Sequence, residues 1–320
     1  YSQAEKMRAS ITHKFGRDFG FGPAPWTEDP LRPGHFTGNP SISSTVSQFM
    51  ISLRRRKVKR GEVVTSARAM TEDVMKRLFE FNQKVPVLET EAPKKRKGNE
   101  WGGHCVRVML HCLYTISMLC LLRYDEALNI RWEDITFGFT PLGLPWVQLT
   151  LWFRKTHQFG DIAPFILYFM PDKPHMCVVR ALARWWTLAG QLGIPRHGYI
   201  FRKRYRYDQI SDNPSERMSS DSFLSCFRNN LCDIGVDPRL YGTHSFRRGG
   251  CQYLHIELRW PIRCICTWGG WTENFDSPGT IFKYLLSWTD TPLVERNDYF
   301  NPNRKGTNPC SRCNRTCHCA

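Results

Sequence analysis

Apolar residues recur at helical spacing along most of this chain. Residues 2–16 (SQAEKMRASITHKFG) read as a first helix, which gives way at 20–41 to a loop rich in Gly and Pro. In 41–62 (SISSTVSQFMISLRRRKVKRGE), Val46, Phe49, Met50 and Leu53 share one face behind a serine cap. That spacing predicts an amphipathic helix running out into basic residues. Thr71 caps a further helix over 71–85, whose first turn is acidic, as the helix dipole favours. Residues 102–130 predict a long helical region that turns at Arg123. The period then changes. PWVQLTLWFRKTHQFGDIAPFILYFM (145–170) holds two β-branched and aromatic runs around RKTHQFGD, the pattern of a β-hairpin with a longer loop. Helical spacing returns at 174–193, stopped by Gly193, and at 219–236 behind a Ser/Asp cap. The 241–254 segment, WPIRCICTWGGWT and TIFKYLLSW follow, and no internal repeat is visible. Helices, a hairpin, then helices again predict a mostly α fold with a small antiparallel β-sheet.

At 320 residues and 41% hydrophobic content the chain can bury a substantial core, which excludes disorder of the whole. A net charge of +16 and a pI of about 9.4 point to an anionic polymer as partner, most often nucleic acid. Of the 13 cysteines, nine are scattered through apolar stretches such as 104–122. They read as reduced, buried thiols of an intracellular protein and not as a disulfide framework. No signal-peptide pattern is visible, and the longest apolar run, around 108–122, is interrupted by His111 and too short to span a bilayer. No membrane partner is expected. The chain begins with Tyr1 and ends in a Cys-rich tail, and we expect it to be a piece of a longer product.

The densest chemistry lies in YGTHSFRRGG (241–250). His244 and Arg247, three apart, point the same way on a helix. A guanidinium grips two phosphate oxygens, and an imidazole moves a proton near neutral pH. Alone, H-x-x-R also fits a helix cap or a surface. Other segments supply context. LLRYDEALNIRWEDI (121–135) places Arg123 three residues ahead of Glu126, RKTHQFGD places Lys155 at the hairpin tip, and GGWTENFDSPGTIFKYLL (269–286) places Trp271 ahead of Tyr284. This ordered set resembles the tyrosine recombinase, or phage-type integrase, family over roughly residues 94–300, with RxxEALxIRWxDI and GGWT the closest matches. The upstream GNPSISSTVSQFMISLRRRKVKRGE is similar to the end of the helical core-binding domain in Crypton-like recombinases of fungal mobile elements.

The resemblance implies a DNA breaking-rejoining catalytic core preceded by a partial core-binding domain. The expected division is a core-binding region at 1–90, a basic linker at 91–100, a catalytic domain at 101–300 and a Cys-rich, disordered tail at 301–320. Tyr284 would attack a DNA phosphodiester to form a 3′-phosphotyrosyl bond, so that strands can be rejoined without ATP. Arg123 and Arg247 would clamp the non-bridging oxygens, Lys155 would protonate the leaving 5′ oxygen, His244 would assist proton transfer and Trp271 would donate its indole N–H. Glu126 would brace the site. No metal or other cofactor and no small-molecule substrate are implied, since the arginines supply the positive charge. The implied partner is double-stranded DNA, held by a homotetramer, and the implied location is the nucleus. A type IB topoisomerase, which uses a similar site, and a non-catalytic DNA-binding descendant of a mobile element remain alternatives. Trp271 and Tyr284 are thirteen residues apart, longer than in GGWT members, with FDSP (275–278) as the inserted part. Tyr253 and Tyr299 compete for the nucleophile's role, Trp268 with Trp271, and Arg154 with Lys155.

Two basic clusters, Arg54, Arg55, Arg56, Lys57, Lys59 and Arg60, then Lys94, Lys95, Arg96 and Lys97, are expected to track the DNA backbone, with Arg248 beside the H-x-x-R. KKRK (94–97) also reads as a nuclear localisation signal. In the tail, Cys310, Cys313, Cys317, His318 and Cys319 offer a C-x-x-C pair for zinc, but the second pair is too compressed, and a disordered or truncated tail is the preferred reading.

Overall fold

The computed structural model describes residues 2–60, 67–86, 101–152, 162–271, 279–286 and 290. The chain divides into two units, Tyr1–Thr65 and Ser66–Ala320. The division precedes the expected linker at 91–100, which lies outside the described residues.

The first unit holds helix α1 (Ser2–Arg17), a two-residue ribbon of β1 (Thr27–Glu28) and β2 (Phe36–Thr37), a 3₁₀ turn at Pro40–Ile42 and helix α2 (Ser44–Lys59). Polar contacts tie it together. Asn39 Nδ2 donates to the Gly22 carbonyl at 2.9 Å and its Oδ1 accepts from Ser41, while Arg8 Nε donates to the Ser41 carbonyl at 2.8 Å. The face expected to be buried on α2 is covered only in part: Met50 is buried, but Phe49 is 53% exposed.

The second unit is built around helix α4 (His104–Leu119), in which every residue from Cys105 onward is buried. A helix apolar on all sides has to be enclosed. Around it pack α3 (Glu72–Gln83), α5 (Tyr124–Leu128), α6 (Val178–Gln191) and α8 (Ser245–Gln252), and α7 (Ser220–Asp233) meets α3 and α5. Thr71 and Ser219 cap α3 and α7 with their side-chain oxygens, and α6 is followed by Gly193 at φ 69°. The long helical region expected over 102–130 breaks earlier than Arg123. α4 stops at Leu119, Leu121 takes φ 51°, and Arg123 becomes the N-cap of α5. Strands β3 (Ile135–Phe139), β4 (Pro145–Leu149) and β5 (Phe165–Tyr168) form one antiparallel sheet in that order. β4 and β5 are the expected hairpin, and Val147, Leu149 and Phe165 turn inward. The fold is mostly α with small antiparallel sheets. A π-helical turn (Tyr253–Glu257), α9 (Ile262–Trp268) and α10 (Gly279–Leu285) complete the unit.

Helix α3 belongs to this second unit, because Met75 and Leu78 are fully buried in its core. Arg107 of α4 ties three helices together: its Nη1 donates to Asn82 Oδ1 at 2.8 Å and Asn230 Oδ1 at 3.0 Å, and pairs with Asp233 at 2.8 Å. All nine cysteines among the described residues are free. No helix among those residues is long and apolar enough to cross a membrane.

His111 lies on α4 with its ring 5.0 Å from that of Phe79. Burial, aided by the charges of Arg184 and His175, pushes its imidazole down to about 3. Between pH 5 and 6.5 the unfolded chain therefore binds a proton at His111 that the folded chain does not. Stability should rise with pH in that window, by an increment approaching about 1.4 kcal/mol per pH unit at its acid end, and level off above it. His111→Phe should remove this slope in urea unfolding measured across the window.

Candidate active site

The site starts from a local accident of α5. Arg123, at the N-cap, leaves its backbone N–H unsatisfied, and Glu126, three residues on, accepts it with Oε2 at 2.9 Å. The other carboxylate oxygen takes Arg123 Nη1 at 3.2 Å. The same Oε2 lies 3.4 Å from Nη1 of Arg247, which α8 brings in from 121 residues away. Two guanidiniums thus share one carboxylate, and the trio keeps a net positive charge. Glu126 and Arg247 are buried (side chains 8% and 1% exposed), while Arg123 retains 23%. A buried carboxylate between two arginines fixes their spacing, and removing it would leave like charges facing each other.

Trp271 and Tyr284 complete the corner. Their rings stack, with centroids 5.3 Å apart and planes at 22°. The Arg247 guanidinium carbon lies 4.9 Å from the Trp271 ring and 5.1 Å from the Tyr284 ring. Cation–π contact with both stacked rings holds that guanidinium in place. The indole Nε1 of Trp271 is buried and has no hydrogen-bond partner. A buried donor without a partner is costly. His244, the N-cap of α8, has an exposed edge and a ring centroid 6.4 Å from that of Tyr284. Partial burial and the charges of Arg247, Arg123 and Arg248 hold its imidazole below the ordinary value, with Asp125 opposing. It is therefore neutral at pH 7 and able to accept a proton.

The structure thus gathers Arg123, Glu126, His244, Arg247, Trp271 and Tyr284 around one corner. Lys155 and Arg154 fall between β4 and β5 in sequence, outside the described residues, as do Lys94, Lys95, Arg96, Lys97, Tyr299, Cys310, Cys313, Cys317 and Cys319. The competitors within the described residues are engaged elsewhere. Trp268 Nε1 donates to the Leu119 carbonyl at 2.7 Å. Tyr253 is 3% exposed, and its hydroxyl accepts from Lys173 Nζ at 3.3 Å. Arg54, Arg55, Arg56, Lys57 and Lys59 fall on α2 with Arg60 directly after it, and Arg54, Arg55, Arg56, Lys59 and Arg60 are exposed.

Arg248 departs from expectation. It is 2% exposed and forms a forked pair with Asp290, at 2.9 and 2.5 Å, so its charge is neutralised inside the fold and not presented to a duplex. Asp290 and its second partner, Gln252, escaped the sequence reading. The one available signal was the four-residue spacing from Arg248 to Gln252, which puts both on one face of α8.

No protein-family model and no curated protein matches the chain. Among solved structures it is similar to the XerH site-specific recombinase bound to palindromic difH substrate in a post-cleavage complex, with 13% identity and a TM-score of 0.42 over 72% of this chain and 50% of that one. A second is an FLP recombinase–Holliday junction complex, at 11% identity and a TM-score of 0.39 over 84% of this chain and 58% of that one. The chain spans about half the length of the recombinase structures it matches.

Proposed function

We propose that this chain cuts and rejoins double-stranded DNA through a 3′-phosphotyrosyl intermediate, as a site-specific recombinase. The observation that carries the reading is the Tyr284 ring lying 5.1 Å from the guanidinium of a buried arginine, Arg247, and stacked on the Trp271 ring, which lies 4.9 Å from the same guanidinium. A tyrosine held there meets a phosphate gripped by two arginines. The Tyr284 oxygen forms a bond to phosphorus as the bond to the 5′ oxygen breaks, and Arg123, Arg247 and Trp271 hold the non-bridging oxygens as charge builds on them. Neutral His244 takes a proton, and the leaving 5′ oxygen receives one, a task assigned by family resemblance to Lys155. Attack of a 5′ hydroxyl on the phosphotyrosine reverses the step. A charge of +16 suits a DNA partner. A homotetramer on DNA, a mobile-element origin and a nuclear location belong to the same reading.

The test uses a library of nicked duplexes of randomised sequence, incubated with the chain without added metal. A covalent protein–DNA band on a denaturing gel, with the DNA mapped by peptide mass spectrometry to Tyr284, supports the proposal. DNA binding without a band supports the non-catalytic alternative. Relaxation of supercoiled plasmid without strand exchange would point to a topoisomerase. Within this scheme Arg247→Lys should slow single-turnover adduct formation by about 10²–10³-fold while leaving duplex affinity little changed. An ammonium cannot reproduce the fork that serves Glu126 and a phosphate together.

A further inference from the structure

The structure assigns to Asp290 a positioning role: with Arg248 and Gln252 it forms a latch that holds Tyr284 in the site of its own chain. This rests on the reading of Tyr284 as nucleophile. Asp290 lies six residues beyond that tyrosine. Its carboxylate is filled on both oxygens. Oδ1 accepts from Arg248 Nη1 at 2.9 Å and from the backbone N–H of Ala69 at 3.1 Å. Oδ2 accepts from Arg248 Nη2 at 2.5 Å and from Gln252 Nε2 at 2.7 Å. The pair is nearly dry, with side chains 3% and 15% exposed. A forked, charge-assisted pair of this kind is directional as well as strong.

The link to the tyrosine runs through Gln252. Its Nε2 also donates, at 3.1 Å, to the carbonyl of Leu285, the last residue of α10 and the one after Tyr284. One amide therefore binds both the end of α10 and the carboxylate beyond it. Arg248 and Gln252 sit one turn apart on α8, the helix that carries Arg247. Fixing α10 to that helix fixes the distance from the Tyr284 ring to the Arg247 guanidinium. The 67–70 stretch closes the latch from the other side: Arg248 Nη1 donates to the Ala67 carbonyl at 2.5 Å, and Met70 N–H to the Ser245 carbonyl.

Asp290→Ala, in the full chain, separates this role from others. Amide exchange of α10 without DNA should quicken by about 10-fold or more, while exchange in α4 stays unchanged. Adduct formation should fall by about 100-fold at unchanged duplex affinity, because a nucleophile displaced by an ångström loses that much. Added formate, which can neutralise Arg248 but cannot tether α10, should restore neither. Full rescue by formate would reduce Asp290 to a counter-ion and overturn the latch, and so would unchanged α10 exchange. In a mixture of Tyr284→Phe and Arg247→Ala chains no adduct should form, because each tyrosine serves its own arginine. An adduct in that mixture would overturn the assignment. Failure of the underlying reading looks different: α10 loosens as described, yet the native chain forms no adduct on any duplex, and the positioning role falls with it.

Discussion

Tyr284→Phe should form no covalent DNA adduct, a loss of more than about 10³-fold, while still binding nicked duplex. The substitution removes one oxygen and little else. A phenyl ring keeps the stacking on Trp271 and the contact with the Arg247 guanidinium, so the corner retains its shape. The nearby alternative cannot take over, since Tyr253 is buried and its hydroxyl is engaged by Lys173. The check is a denaturing gel of both proteins on the same nicked substrate, with binding measured beside it. A band that persists in the variant would move the nucleophile to another tyrosine, with Tyr299 the first to replace. A band lost together with binding would show that the ring's hydroxyl also supports the fold, which circular dichroism would register.

What was legible in the sequence was local. The H-x-x-R pair, the Arg123–Glu126 spacing and the caps at Thr71 and Ser219 each span three residues or fewer, and a helix repeats on that scale. α4 was legible because a run apolar on every side has only one place to go. β3 was missed: Ile135–Phe139 alternates weakly, and its register is set by β4 rather than by its own pattern. That the second unit reaches back to Ser66 was not legible, because 67–70 joins it through backbone bonds, Arg68 N–H to the Leu240 carbonyl and Met70 N–H to the Ser245 carbonyl, which leave no trace in residue type. Arg248 was misread for the complementary reason. Its neighbour in sequence, Arg247, is basic and conspicuous, but its partner, Asp290, is 42 residues away. Long-range pairing decides whether an arginine is a surface charge or a buried strut, and composition cannot see it.

The same limit of local reasoning sets up a sharp test at Gly250. Helix propensity favours alanine over glycine by about 1 kcal/mol, so an exposed helix would gain from Gly250→Ala. Packing argues the other way. An alanine Cβ there would sit 1.9 Å from the Met118 carbonyl oxygen and 2.6 Å from Leu121 Cδ2, and at the adjacent Gly249 a Cβ would sit 2.0 Å from the Met70 carbonyl oxygen. Both nearest atoms are backbone and cannot swing aside as a side chain's end would. The two glycines let α8 touch the end of α4 on one side and the 67–70 stretch on the other. Gly250→Ala should therefore destabilise the chain by at least about 3 kcal/mol in urea unfolding, the upper part of the range for overpacking. Gly242→Ala, whose Cβ would meet only the Ala67 Cβ at 3.5 Å, should cost little. The strain at Gly250 also falls on the chemistry. α4 ends at Leu119 and leads through Leu121 into Arg123, while α8 carries Arg247, so prying the helices apart moves both arginines at once. Whatever fraction of Gly250→Ala stays folded should lose adduct formation as well. A variant that gained stability would mean that α8 and α4 do not meet through their backbones, and that the two guanidiniums are held in register by Glu126 alone.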